Sequence, residues 1–227
     1  MIGGAMLSIP SGGVDLNDNG LTSATTYFVY AFASATSVVT LEATTSTHAT
    51  ATSAGTVGVE IKSGDSSRTL VGRVRLNSNG LFVDSVTQRF LVNWFNRRDR
   101  LGEAVFSTSR TTTSLTLVEI NSEIRIEFLT WGDEGVLVVS NQSVENNTLL
   151  ASTITNIGLD DGTTSRTFRQ DFQAAVAATR GSGTSGGYMT MSEGYHFVTV
   201  AGFVTSGTGT WTGDGSVLGN LHVGLRI

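Results

Sequence analysis

Apolar and polar side chains alternate along several short segments of the chain. In EGYHFVTVAGFV, residues 193–204, Tyr195 and Phe197 alternate with His196 and Val198. Side chains two residues apart lie on the same face of a β-strand. The pattern therefore predicts a strand with two distinct faces.

Segments rich in Val, Thr and aromatic residues predict further strands at short spacing. In the first part of the chain they are residues 27–32, 38–43, 58–62, 69–76 and 88–95. In the second part they are residues 115–120, 124–131, 136–140, 149–157, 188–191, 194–204 and 221–227. Strands without regular helix–strand alternation favour an antiparallel sandwich, so the predicted fold class is all-β.

Three segments between these strands decide the domain organisation. Residues 168–179 include DFQAAVAAT, which fits a helix by propensity, while its position among strands favours a strand. GSGTSGG, residues 181–187, predicts a flexible loop, and the polar residues 96–103 predict a boundary. We expect an arm at 1–20, an N-terminal β domain at 21–100 and a C-terminal β domain at 101–227.

Composition removes several classes of function. The chain has 227 residues, of which 39% are apolar and 15% charged, with a net charge of −5. It has no cysteine, which excludes disulfides, thiolate zinc sites and a cysteine nucleophile. The nearest basic patch, Arg97, Arg98 and Arg100, encloses Asp99, so we expect no nucleic-acid partner.

The first 13 residues, MIGGAMLSIPSGG, combine small and apolar side chains. They lack a basic segment followed by a long apolar one, and no run in the chain approaches a membrane span, so we expect neither a signal peptide nor membrane insertion. The segment predicts an arm that a partner subunit holds. Its candidate contact residues are Met1, Ile2, Met6, Leu7, Ile9 and Pro10.

DLNDNG, residues 15–20, matches the start of a calcium-binding loop. Such a loop needs a carboxylate at its twelfth position, which is Thr26 here, and flanking helices, where this chain predicts a strand. The segment therefore predicts a turn, and we expect no metal or other cofactor. A calcium-dependent lectin using Asp15, Asn17 and Asn19 is the alternative.

Acidic pairs raise the possibility of glycoside hydrolysis. Asp133 and Glu134 lie between two predicted strands, as do Asp160 and Asp161. A glycosidase needs two carboxyl groups about 5 to 10 Å apart, so Asp133 or Glu134 would have to face Asp160 or Glu193. Solvated turn residues are the favoured interpretation, and we expect no enzymatic activity.

The remaining catalytic signatures do not occur in the sequence. His48, His196 and His222 have no metal-binding spacing. There is no nucleophile elbow and no phosphate-binding loop.

Aromatic side chains near strand ends give a second candidate site. Trp131, Tyr195 and Trp211 could stack on sugar rings if they are exposed. The favoured alternative is that they seal the ends of the sandwich or a subunit contact.

Two parts of the chain resemble β-rich modules of bacteriophage virion proteins, chiefly tail-fibre and head-fibre proteins. They are residues 64–98 and residues 128–143 with 192–211, about half of the chain. The most specific pieces are RTLVG at 68–72, residues 82–98, and EGYHF at 193–197. The second half also resembles a jelly roll of the complement/tumour-necrosis-factor type.

This resemblance implies a homotrimeric fibre or spike on the virion surface, assembled in the host cytoplasm. It brings no catalytic residues. The arm would attach to other capsid or tail proteins, and distal loops would contact the host surface, with glycan as the expected receptor. The candidate receptor-binding residues are Trp131, Asp133, Glu134, Tyr195 and Trp211. The alternatives are a capsid decoration protein and a glycan-degrading spike enzyme.

Overall fold

The computed structural model describes residues 2, 5, 7–18, 20–35, 38–160, 165–213 and 219–226. The only helical element in these ranges is a 3-10 turn at Ser122–Ile124. Nearly all neighbouring strands pair antiparallel. The predicted all-β, antiparallel fold is therefore confirmed.

The strands follow one another closely along the chain. The first nine are β1 Thr26–Ala35, β2 Val38–Thr44, β3 His48–Thr50, β4 Glu60–Lys62, β5 Asp65–Arg75, β6 Gln88–Arg89, β7 Leu91–Asn93, β8 Asp99–Val105 and β9 Arg110–Thr112. The others are β10 Val118–Glu119, β11 Ile126–Trp131, β12 Gly135–Asn146, β13 Ser152–Leu159, β14 Ser165–Gln173, β15 Arg180–Thr190, β16 Glu193–Val204, β17 Gly209–Trp211 and β18 Asn220–Arg226.

The chain divides into two compact units. Unit 1 comprises Met1–Asp84 and Phe90–Arg97, and unit 2 comprises Ser85–Arg89 and Arg98–Arg226. Both units are thus discontinuous in sequence. The predicted domains at 21–100 and 101–227 remain predictions about how the chain folds.

Unit 1 is built on one sheet of six strands, in the order β2-β1-β5-β4-β3 with β7 beside β5. On one face of this sheet, Tyr27, Val29, Val74 and Leu76 form a buried apolar cluster. Period-2 spacing keeps Tyr27 and Val29 on one side of β1, and Val74 and Leu76 alternate with Arg73 and Arg75 along and just after β5.

Unit 2 is a sandwich of two six-stranded sheets. One has the order β14-β13-β16-β11-β6 with β10 beside β16, and the other has the order β8-β18-β12-β17-β9 with β15 beside β12. The pair β6–β11 is parallel. Fully buried side chains such as Ile154, Val200 and Val223 form its core.

One prediction about an irregular segment was wrong. Residues 181–187 are not a loop, because they lie inside β15, which pairs with β12 over its whole length. Side chains of β14 contact Gly181, Gly183 and Gly187 so closely that a β-carbon at any of these positions would overlap them. These glycines therefore serve packing and not flexibility. The polar segment 96–103 contains the passage from unit 1 to unit 2 between Arg97 and Arg98, and its second half is strand, since β8 begins at Asp99 and pairs with β18.

Other predicted strands changed in extent. The segment 88–95 divides into β6 and β7, which pair with β11 and β5 respectively. The segment 115–120 keeps only Val118–Glu119 as strand. The ambiguous segment 168–179 is a strand as far as Gln173, followed by turns.

Candidate interaction surfaces

The outer face of one unit 2 sheet carries an apolar strip. The backbone register places Leu101, Gly224, Leu137 and Tyr188 in one row across β8, β18, β12 and β15. Leu101 is 53% exposed and Tyr188 is 77% exposed, while Leu137 is half-buried. Gly224 has no side chain, so a shallow depression of about 430 Å³ lies between the neighbours.

Polar groups flank this apolar strip on both sides. Asp99, Arg100 and Arg226 line one end of the depression, and Asp99 is the cross-strand neighbour of Arg226. At the other end, Asn141 donates to Asn220 Oδ1 at 2.9 Å and accepts from Thr184 Oγ1 at 2.5 Å. The face therefore has an apolar centre and a polar rim, the usual composition of a protein contact.

Two of the predicted receptor-binding aromatics lie in the core. Trp211 is fully buried between the sheets, where its indole N–H donates to Thr155 Oγ1 at 2.9 Å. Trp131 is 6% exposed. The prediction that they contact a receptor is corrected, because buried rings offer no face to a sugar in this chain. They seal the sandwich, as the alternative interpretation held.

The acidic pair at the end of β11 lies in a turn, as expected. Gly132 has a φ of 82°, which permits the reversal. The Glu134 side chain is buried and accepts from the Trp131 backbone N–H at 3.3 Å, so it holds the turn together. Asp133 is exposed.

Tyr195 lies half-buried on the outer face of the other sheet. Its hydroxyl donates to Glu127, which also accepts from Gln88 Nε2 at 2.7 Å. The ring therefore belongs to a polar network across β16, β11 and β6.

A second network on this face centres on Glu119. Arg125 donates to both of its carboxylate oxygens at 2.6 Å, and Thr199 Oγ1 donates at 2.8 Å. Burial tends to raise the pKa of Glu119, but these hydrogen bonds outweigh it, so the pKa lies below the ordinary 4.5. The Arg125 pKa is raised, chiefly by its hydrogen bond to Glu119. Both groups are engaged in structural contacts.

Asp160 also has a structural role. Its carboxylate contacts His196 Nδ1 at 2.9 Å and accepts from the Phe197 backbone N–H at 3.0 Å. Glu193 lies four residues from Phe197 along β16, or about 13 Å of extended strand. Asp161 lies outside the described residues. The turn that carries Asp133 and Glu134 lies beside Glu193, because a β-carbon at Gly132 would be 2.7 Å from Glu193 N. The glycosidase alternative stays an untested prediction.

The calcium-loop segment contains a hydrogen-bonded turn. Leu21 N donates to Asp18 O at 3.0 Å, and Gly20 has a φ of 82°. Asp15 and Asn17 are exposed, and Asn19 lies outside the described residues. Within the described ranges, no three His, Cys, Asp or Glu side chains cluster as metal ligands would.

The arm residues are only partly described. Met1 and Met6 lie outside the described residues, Ile2 and Leu7 are half-buried, and Pro10 is exposed. Ile9 is 72% exposed. In the described part of the chain, no helix has the length and apolar character that crossing a membrane requires.

Sequence reasoning missed Leu101, Leu137 and Tyr188. Leu101 stood in the segment interpreted as a boundary, and Tyr188 followed the supposed loop. Glycine at the alternate positions 181, 183 and 187 of RGSGTSGGYMT, with Tyr188 in phase with Thr184 and Ser182, was the available signal. The cross-strand register that brings the three together is not readable from the chain.

Comparison with known proteins assigns no family. No family model and no curated protein matches this chain. Solved structures of viral particles are among those similar to this chain. The T13 particle of infectious bursal disease virus is 11% identical with a TM-score of 0.44, over 93% of this chain and 52% of that chain.

Two further structures of the same virus are similar. Its VP2 subviral particle is 7% identical with a TM-score of 0.40, over 69% of this chain and 40% of that chain. Its Gx strain is 9% identical with a TM-score of 0.40, over 93% and 54%. This chain thus spans about half the length of those it matches, or less. Similarity at this level does not by itself assign a function.

Proposed function

We propose that this chain is a non-enzymatic structural component of a bacteriophage virion that assembles as a homotrimer on the particle surface. The observation that carries the proposal is the apolar strip of Leu101, Leu137 and Tyr188 on one sheet face of unit 2. Apolar patches of this kind on ordered strands mark protein contacts. The sequence resemblance to phage virion modules supports the particle as the place of assembly.

The charges beside the strip favour a second copy of the same chain as the partner. Asp99 is negatively charged, and Arg100 and Arg226 are positively charged. All three residues line the same end of the depression. A cyclic assembly repeats one contact around an axis, so such a surface can offer each charge an opposite neighbour. Burial of apolar surface would stabilise the contact by roughly 25 cal/mol per Å².

Mass measurement by light scattering tests the proposal. We expect the full chain to be a trimer, and Leu101→Asp to be a monomer with an unchanged circular dichroism spectrum. Val176→Asp is the matched control, because Val176 is 64% exposed and lies in a turn outside the strip. A monomeric full chain would contradict the trimer and favour a decoration protein that associates only on a capsid lattice.

Contact with host glycan is the finer part of the proposal. Asp133 is exposed at the turn after β11, and Tyr195 is half-buried. These two side chains are the accessible members of the predicted receptor site, and Glu134 holds the turn on which Asp133 lies. A glycan array with the full chain and with Asp133→Ala tests this. Equal signals from both proteins would remove Asp133 from the site.

A further inference from the structure

The apolar face of the unit 1 sheet contains an open groove. Its volume is about 370 Å³. The side chains on its walls include Val14, Leu16, Leu41, Val71, Phe82 and Leu91. Leu91 is 41% exposed. A sheet generally buries its apolar face against another element, and here that burial is incomplete.

A β-bulge shapes the floor of this groove. The register between β1 and β5 passes from Val29↔Gly72 to Tyr30↔Leu70, which leaves Val71 as the extra residue. A bulge re-aims a side chain, and Val71 lines the groove beside Gly72. A β-carbon at Gly72 would lie 2.6 Å from Val92 O, so glycine lets β7 approach and complete the wall.

The segment that precedes the groove wall is apolar on one side. Leu7 and Ile9 alternate with Ser8, the pattern of an extended strand with one apolar face. Pro10 and the Gly12–Gly13 pair join this segment to Val14, which itself lines the groove. Arm and groove are therefore continuous in the chain.

Within one chain, a turn separates the arm from the groove-lining Val14. Gly13 N donates to Pro10 O at 2.9 Å in a turn, and Gly13 has a φ of 78°. Ile2 and Ala5 exchange backbone hydrogen bonds of 2.9 Å with each other. Ile9 is left 72% exposed. Along the chain, an exposed apolar segment lies next to an open apolar groove. If identical subunits exchange their arms, the arm of one copy can fill the groove of another.

We propose that residues 7–10 of one copy bind in the unit 1 groove of a neighbouring copy, with Leu7 and Ile9 against Leu41, Val71 and Leu91. The inference rests on the proposed function, because it needs several copies in one assembly. The occupant is a second copy of this chain, and the arm is the link between copies.

Cysteine pairs test this contact directly, since the natural chain has no cysteine. Full-length Ile9→Cys and full-length Leu91→Cys are mixed at equal concentration and oxidised. We expect a covalent dimer of the two variants, because a bound arm raises the local thiol concentration to about the millimolar range. The dimer should form at least about tenfold faster than with Val57→Cys in place of Leu91→Cys.

Val57→Cys is the matched control, because Val57 is 70% exposed in unit 1 and does not line the groove. A disulfide needs Cα atoms within about 7 Å, so a short bismaleimide is used in parallel to relax this demand. Equal rates for both partners, or a cross-link only within one chain in the double variant Ile9→Cys/Leu91→Cys, would overturn the inference.

Light scattering separates this inference from the proposed function. If the full chain is trimeric, stays trimeric after deletion of residues 1–13, and Ile9→Cys does not cross-link to Leu91→Cys, arm exchange is rejected. The proposed trimeric assembly then stands. A full chain that is monomeric and does not cross-link would reject both.

Discussion

At the residue scale, close packing explains several side chains that look functional in the sequence. The Trp211 ring lies against Gly202, where a β-carbon would be 2.3 Å from the ring, and its N–H binds Thr155. Glu134 holds a turn, and Asp160 holds His196 and the Phe197 backbone. Polar or aromatic chemistry at these positions serves the fold.

We expect Trp211→Phe to lower the free energy of unfolding by about 1–3 kcal/mol. The change leaves a cavity and removes the hydrogen bond to the buried Thr155 hydroxyl. Tyr188→Phe is the matched control, because its ring is 77% exposed. Urea denaturation of the two variants measures the difference, and equal midpoints would contradict the packing role of Trp211.

The Glu119 carboxylate makes stability depend on pH. Its pKa in the folded chain lies below the ordinary 4.5, so the unfolded chain binds protons more readily. The stabilisation is therefore present above about pH 4.5 and declines as the pH falls through the folded-state pKa. Glu119→Gln should flatten the decline of the free energy of unfolding between pH 6 and pH 3.

Glu145→Gln provides the control for this pH profile, because the Glu145 carboxylate lies 3.9 Å from Arg180 and has no paired hydrogen bonds of the Glu119 kind. Denaturant titrations at several pH values measure the slopes. A Glu119→Gln profile with the slope of the natural chain would show that this carboxylate does not govern the acid response.

At the element scale, packing against side chains of β14 requires the glycines of β15. β-Carbons at Gly181, Gly183 and Gly187 would lie 2.1–2.2 Å from the side chains of Phe172, Gln170 and Phe168. With its amide oriented to satisfy both groups, Gln170 donates to Gly183 O at 3.1 Å and accepts from Gly183 N at 3.0 Å. The carboxamide thus occupies backbone groups of an edge strand that could otherwise pair with another chain.

We expect Gly187→Ala to lower the free energy of unfolding by about 1–3 kcal/mol, because the new methyl group overlaps the Phe168 ring. Gly135→Ala, in the paired strand β12, is the control, since a β-carbon there would meet only Tyr188 at 3.6 Å. Thermal denaturation compares them. If Gly187→Ala is as stable as Gly135→Ala, the strands do not require glycine for their contact.

At the scale of the whole molecule, the chain passes between its units more than once. Ser85–Arg89 belongs to unit 2, although Phe90–Arg97, which follows, belongs to unit 1. β6 pairs in parallel with β11, and Gln88 binds Glu127 at 2.7 Å. Unit 2 therefore includes a strand that precedes its main segment.

We expect a fragment of residues 85–226 to be more stable than a fragment of residues 98–226. Only the longer fragment can pair β6 with the edge of β11 and satisfy Glu127. The longer fragment with Gln88→Ala should lie between the two, because it keeps the backbone pairing. Guanidinium denaturation of the three fragments gives the order, and equal midpoints would show that β6 adds nothing to unit 2.

The sequence by itself determined the all-β class, most strand positions and the turn at residues 18–21. These follow from period-2 alternation, β-branched residues and local turn chemistry, which act over a few residues. It did not determine the strand state of residues 181–187, the burial of Trp131 and Trp211, or the row formed by Leu101, Leu137 and Tyr188. Tertiary structure decided these, because cross-strand register and sheet packing join residues that are distant in the chain, and no local pattern encodes which of them meet.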